Sequence, residues 1–256
     1  MTTPPGRLLL VPNTLDLGTD CDVPLEAVLP QAVIAQAAAL GHWVCENAKT
    51  TRALLKRVHQ LVPLAQPLQQ IQITELPRPP KGGGKPAAPP DLRPLLAPAL
   101  AGHDVGLLSE AGLPAVADPG AALVQAAHAL GLVVVPMSGP TSLLLALAAS
   151  GLNGQSFAFV GYLPVEPAAR AARIRELEAL SRRGQQTQIA IETPYRNDAL
   201  LAALVQQLQP TTQLAVASGL TLPGARCETR TVAAWRTAKS AALGGRLPAV
   251  FSWLAG

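Results

Sequence analysis

Apolar positions in the first half of this chain fall into short unbroken runs, separated by longer segments where apolar and small residues recur every three or four positions. The runs are "RLLLV" (7–11), "HWVCEN" (42–47), the "VGLLS" that ends at 109, and "LVVV" (132–135). Each stops at proline, glycine or a polar turn residue, the pattern of strands buried on both faces. The segments between them read as helices. Residues 24–40 are rich in Ala and Leu, with a break predicted at Pro30 and an end at Gly41. Residues 48–62 form an amphipathic helix with Leu54, Leu55, Val58, Leu61 and Val62 on one side. Residues 119–131 form another, with Asp118 as the predicted N-cap and Pro119 in the first turn. The apolar helix over 140–152 starts near Pro140 and stops at Gly151. Strand and helix alternate throughout, which argues for a parallel α/β sheet.

After residue 137 the pattern changes. Strands are predicted in "FAFVGYLP" (157–164), "QTQIAIETPYR" (186–196), "TQLAVASGLT" (212–221), "ARCETRTVAAW" (225–235, feeding a short helix) and "LPAVFSWLAG" (247–256). Helices are predicted over 168–184 and 197–210, the second with Asn197 as candidate cap. The sequence therefore divides into an N-terminal parallel α/β domain, 1–137, and a C-terminal mixed-sheet α/β domain, 138–256.

Composition narrows the chemistry. With 49% hydrophobic and 14% charged residues the chain packs a core. Aromatics at 3% argue against base stacking as the main binding device. A net charge of +4 without a dense Lys/Arg run permits phosphate contact but does not demand it. Cys21, Cys45 and Cys227 are too widely spaced for a zinc site or a disulfide framework, and no metal is expected. The apolar run before Pro12 is too short for a signal-peptide core and no window reaches a membrane span, so a soluble cytoplasmic chain is expected. The Pro/Gly-rich basic segment 76–94 reads as a linker or a basic arm over a site.

Three places run from an apolar strand into a turn of small residues and prolines: "VPNTLD" (11–16), "LLSEAGLPAVADPG" (107–120) and "VVVPMSGPTSLL" (133–144). Ligands of open α/β sheets bind where such turns cluster, at the carboxyl ends of the strands. Gly112 and Gly139 would let backbone approach a ligand, and Thr141 and Ser142 open a helix. Neither GxGxxG nor GxxxxGK[ST] is present, so the usual dinucleotide and P-loop fingerprints do not apply.

Taken in order, "LLSEAGLPAVADPG", "VVVPMSGPTSLLLALAASGL", "FAFVGYLP" and "IAIETPYR" resemble the successive motifs of the tetrapyrrole methylase superfamily, nearest the branch that methylates ribose 2′-hydroxyls of small-subunit ribosomal RNA. The resemblance covers residues 105 to about 200. It implies a two-domain fold binding S-adenosylmethionine in a cleft between the domains, in a homodimer, with RNA of the small ribosomal subunit as partner. Carried over motif by motif, it assigns cofactor contacts to Leu15, to Ala111, Gly112, Leu113 and Val116, to Thr141 and Ser142, and to Glu192 and Thr193.

The chain also departs from that branch. Asp16 stands where the first turn of the branch has glycine. "ENAKT" (46–50) stands for Glu-Asp-Thr-Arg-His, which keeps Glu46 and loses an acid at Asn47 and an arginine at Lys49. "SGLTL" (218–222) loses the charges of the Arg-Glu-Leu-Thr-Lys segment, and the Pro/Gly-rich loop replaces a His-Glu-His-Asn stretch. A ribose hydroxyl is a poor nucleophile, so a proton acceptor should lie within reach. Glu46 and Glu110 are the catalytic candidates, with Glu192 also at a strand end; the four histidines show no pairing pattern. Two other readings fit the motifs: a methyltransferase for a tetrapyrrole or another small molecule, and a degenerate paralogue that binds cofactor or RNA without turnover.

Overall fold

The computed structural model describes residues 4–16, 19, 21, 23–77, 90–238 and 247–256; most of the basic segment 76–94 lies outside them. The chain divides into two compact units: the first holds residues 1–17 and 23–140, the second residues 18–22 and 141–256.

The first unit is built on five parallel strands: β1 (Leu8–Leu10), β2 (His42–Cys45), β3 (Gln72–Glu75), β4 (Val105–Leu108) and β5 (Val134–Pro136), in the order β3-β2-β4-β1-β5. The unbroken apolar runs of β1 and β4 follow from burial on both faces, whereas β5, at the edge, is only half-buried. Leu9, Trp43 and Leu108 point to the side covered by α1 (Gln31–Ala39) and α2 (Ala48–Leu61). Their neighbours Leu8, Val44 and Leu107 point to the side covered by α3 (Ala97–Leu100) and α4 (Ala121–Ala129). One-residue alternation thus serves two cores at once. The break predicted at Pro30 is present: a 3-10 turn at Leu25–Ala27 precedes α1.

Four local expectations are corrected. Strand β3 was not foreseen, because "QITE" is a polar, largely exposed edge that only its pairing with β2 identifies. Leu61 does not join the buried face of α2 and is 42% exposed. Asp118 does not cap α4; Gly120 occupies that position with φ 133°, and no side chain caps the helix. His42 and His103 do pair, with ring centroids 5.1 Å apart at the amino edge of the sheet.

The second unit is a mixed sheet of β6 (Phe157–Gly161), β7 (Thr187–Glu192), β8 (Gln213–Ser218), β9 (Arg226–Thr231) and β10 (Ala249–Leu254), ordered β6-β7-β10-β8-β9, in which only β6 and β7 are parallel. One face buries Ile189, Ala217 and Val250 against α5 (Ser142–Ser150). The other buries Phe251 and Trp253 against α6 (Pro167–Gly184), α7 (Asn197–Gln207) and α8 (Val232–Thr237). Gly151 ends α5 in the left-handed conformation, as its position in the sequence predicts. Asn197 is the first residue of α7 and not its cap; it is buried and donates from Nδ2 to the Leu247 carbonyl at 2.9 Å.

Candidate functional site

In the first sheet, β1 and β4 are neighbours whose onward connections run in opposite directions. The chain leaves β1 for β2, beyond β4, and leaves β4 for β5, beyond β1. Their turns therefore part at the carboxyl edge, the place where open α/β sheets bind ligands. The two turns are locked together. The Asn13 amide N–H donates to the Gly112 carbonyl at 2.9 Å, and the Gly112 N–H returns to the Thr14 carbonyl at 3.4 Å. The Asn13 side chain donates to the carbonyls of Ser109 and Glu110, at 3.2 and 3.0 Å.

Gly112 is required here. Its φ is +66°, and a Cβ would sit 3.3 Å from both Leu15 and the Pro140 carbonyl oxygen. Beyond it Ala115 and Ala117 also take left-handed backbone, at φ 64° and 66°. Each such alanine costs on the order of 1 kcal/mol, so the surrounding packing imposes this shape. Gly139 has a job beyond the one its sequence suggests. A Cβ there would lie 2.3 Å from Pro12, so the glycine also serves the packing of the β5 turn onto the β1 turn.

Three carboxylates gather at this edge. Glu46 follows β2 and accepts the backbone N–H of Glu110 at 3.3 Å. Glu110 follows β4, and its Oε1 accepts from Asn47 Nδ2 at 3.0 Å and Thr50 Oγ1 at 3.2 Å. Asn47 caps α2 with its Oδ1, accepting from the N–H of Lys49 at 2.9 Å. The third is Asp118, which sequence reasoning assigned to a helix cap. Burial, reinforced by the negative charges of Glu46 and Glu110, pushes its carboxyl up to about 7. Ser109, at the end of β4, is 2% exposed, and its Oγ has no hydrogen-bond partner among the described residues.

Of the residues proposed from the sequence, Leu15, Glu46, Glu110, Ala111, Gly112, Leu113 and Val116 lie on these turns at one sheet edge. Thr141, Ser142, Glu192 and Thr193 lie in the second unit. Thr141 precedes α5 without capping it through its side chain. Glu192 ends β7, accepts the Thr193 N–H at 2.7 Å and pairs with Arg196 at 2.6 Å, so its carboxylate is already engaged. Among the described residues, no group of three His, Cys, Asp or Glu side chains could hold a metal ion, and no helix is long and apolar enough to cross a membrane.

Comparison with known proteins places this geometry. The sequence profile of the Tetrapyrrole (Corrin/Porphyrin) Methylases matches residues 31–234. A Ribosomal RNA small subunit methyltransferase I of Mesorhizobium japonicum is 40% identical over 127 residues, 50% of this chain and 42% of the relative. Its namesake in Bacillus subtilis is 40% identical over 107 residues, 42% of this chain and 35% of the relative. The matched stretch thus spans less than half the length of these relatives. In fold, the chain is similar to the methyltransferase CobJ, with TM-score 0.54 and 17% identity over 98% of this chain and all of the other. It is also similar to the uroporphyrin-III-C-methyltransferase of Thermus thermophilus, with TM-score 0.50 and 18% identity over 97% and 92% of the two chains. The interlocked turns at the carboxyl edge of a parallel sheet, followed by a mixed-sheet unit, are those of a chain that belongs to the tetrapyrrole methylase family.

Proposed function

We propose that this chain is an S-adenosylmethionine-dependent methyltransferase acting on a ribose hydroxyl of small-subunit ribosomal RNA. The observation that carries the reading is the β1–β4 switch point, whose turn bears the family motif and gathers Glu46, Glu110 and Asp118. The names of the relatives supply the substrate class.

The residues present suit the cofactor. Ser109 Oγ is a buried polar atom awaiting a partner, and the left-handed turn offers backbone groups beside the apolar side chains of Leu15, Leu113 and Val116. Three carboxylates favour a ligand bearing a sulfonium and an ammonium group. When bound, the cofactor supplies an electrophilic methyl group. Gly112 and its neighbours hold and orient; Glu46 and Glu110, tied by hydrogen bonds, set the field. Asp118 is the carboxylate matched to receiving the proton that the attacking hydroxyl loses, because near neutral pH it is a stronger base than an ordinary acid. Thr141, Ser142, Glu192 and Thr193 enter as further cofactor contacts on the motif resemblance. Homodimeric assembly and a cytoplasmic location complete the reading.

Calorimetric titration with S-adenosylmethionine, followed by transfer of its labelled methyl group to small subunits from a strain lacking the modification, tests it. Saturable binding and label in RNA are expected. Absence of binding near millimolar cofactor would overturn the reading. Binding without transfer would identify a non-catalytic paralogue.

A further inference from the structure

The turn after β1 carries an acid where the family branch has glycine, and the structure shows what that acid does. Asp16 is 8% exposed. It accepts from Thr14 Oγ1, from the Val23 N–H at 3.0 Å and from Arg57 Nη2 at 3.1 Å. Burial works against its charge, yet Thr14, Val23 and Arg57 together hold it below the usual carboxylate range. Arg57 Nη2 also donates to the Val23 carbonyl, and Nη1 reaches Thr14 Oγ1 at 3.4 Å. The guanidinium fork therefore grips both the β1 turn and the backbone at Val23. Arg57 lies on α2, the helix whose first turn holds Glu110 through Asn47 and Thr50. Residues 13 and 14 are in turn bonded to Ser109, Glu110 and Gly112. One helix thus holds the β4 turn by two routes: directly at Glu110, and through Asp16 and the β1 turn at Gly112.

We propose that Arg57 is a positioning residue: through Asp16 it fixes the β1 turn, and through that turn the Gly112 backbone on which the candidate cofactor site stands. The proposal rests on the methyltransferase reading only for its effect on the cofactor; its effect on the turn is independent. Substituting arginine by methionine keeps an unbranched stem and removes the guanidinium fork. A buried charge left without its partner is destabilising, so a double variant that also replaces Asp16 by glycine removes both members.

Hydrogen exchange on the whole chain, compared among wild type, Arg57→Met, Arg57→Lys and the Asp16→Gly/Arg57→Met pair, is the test. In Arg57→Met, amides of residues 13–14 and 109–113 should exchange at least tenfold faster, while β7 and β8 stay unchanged. Cofactor affinity should fall roughly tenfold or more, as small displacements of a site do. Arg57→Lys should fall between wild type and Arg57→Met, and the double variant, which lacks the brace but leaves no buried charge unpaired, should still exchange faster than wild type at 13–14 and 109–113. Acceleration confined to 13–16, with 109–113 as protected as in wild type, would overturn the proposal. So would equal loss of protection across both units, the sign of a general stability effect; if Arg57→Met does not fold, Arg57→Lys decides by the same comparison. If wild type itself binds no cofactor, the functional reading fails while the exchange data still judge the brace.

Discussion

Asp118 shows how one residue's role depends on neighbours remote in sequence. Its carboxyl titrates at about 7 because burial and the charges of Glu46 and Glu110 disfavour ionisation. Asp118→Asn should therefore leave cofactor affinity near wild type and lower methyl transfer by roughly 10²–10⁴-fold, the usual contribution of a general base. Wild-type turnover should rise with pH through about 7, a limb the variant should lack. Stability moves the other way. A carboxyl raised above its unfolded value binds its proton more tightly when folded, so its contribution is fully present below the unfolded value and is lost as pH rises through about 7. Thermal denaturation at pH 8 should find Asp118→Asn more stable than wild type, with the advantage gone by pH 4. Asp16 has the opposite sign: its carboxyl is lowered, so its contribution persists above the unfolded value and is lost in stronger acid. In the sequence, Asp-Pro-Gly reads as a helix start. That reading missed Asp118's surroundings because Glu46 and Glu110 come from the ends of two other strands.

At the scale of elements, the buried strands and their helices were legible because each element's own pattern states which faces it buries. β1 and β4 are apolar on successive residues and lie inside a parallel sheet covered on both sides; β5 shares the pattern but lies at the sheet edge and is only half-buried. β3 was not legible, since a polar edge strand has no such pattern and is defined by its partner. The glycines were legible as turn markers but not for their contacts. Gly139→Ala places a methyl 2.3 Å from the Pro12 ring, a neighbour with no rotamer to yield. It should cost roughly 1–3 kcal/mol in denaturant unfolding. Departures from the family motif also make sense as pairs. The side chain of Asn47 donates to the longer acid Glu110, where an aspartate would repel it. Asp16 is matched by Arg57. Neither pairing is visible in sequence, because the partners lie 63 and 41 positions apart.

For the molecule as a whole, the family is the most legible property, since its motifs are ordered along the chain and the matching profile runs from 31 to 234. RNA affinity should fall as salt rises, with a slope set by the number of phosphates that Lys and Arg neutralise, measurable by binding across a salt series. Methyl transfer to RNA is measured most directly by incorporation of label from S-adenosyl[methyl-³H]methionine into small ribosomal subunits that lack the modification. Stoichiometric label is expected, recovered on a ribose oxygen after nuclease digestion and greatly reduced in Asp118→Asn. Label on a base atom, on a tetrapyrrole offered in parallel, or on nothing despite tight cofactor binding would contradict transfer to a ribose hydroxyl of RNA.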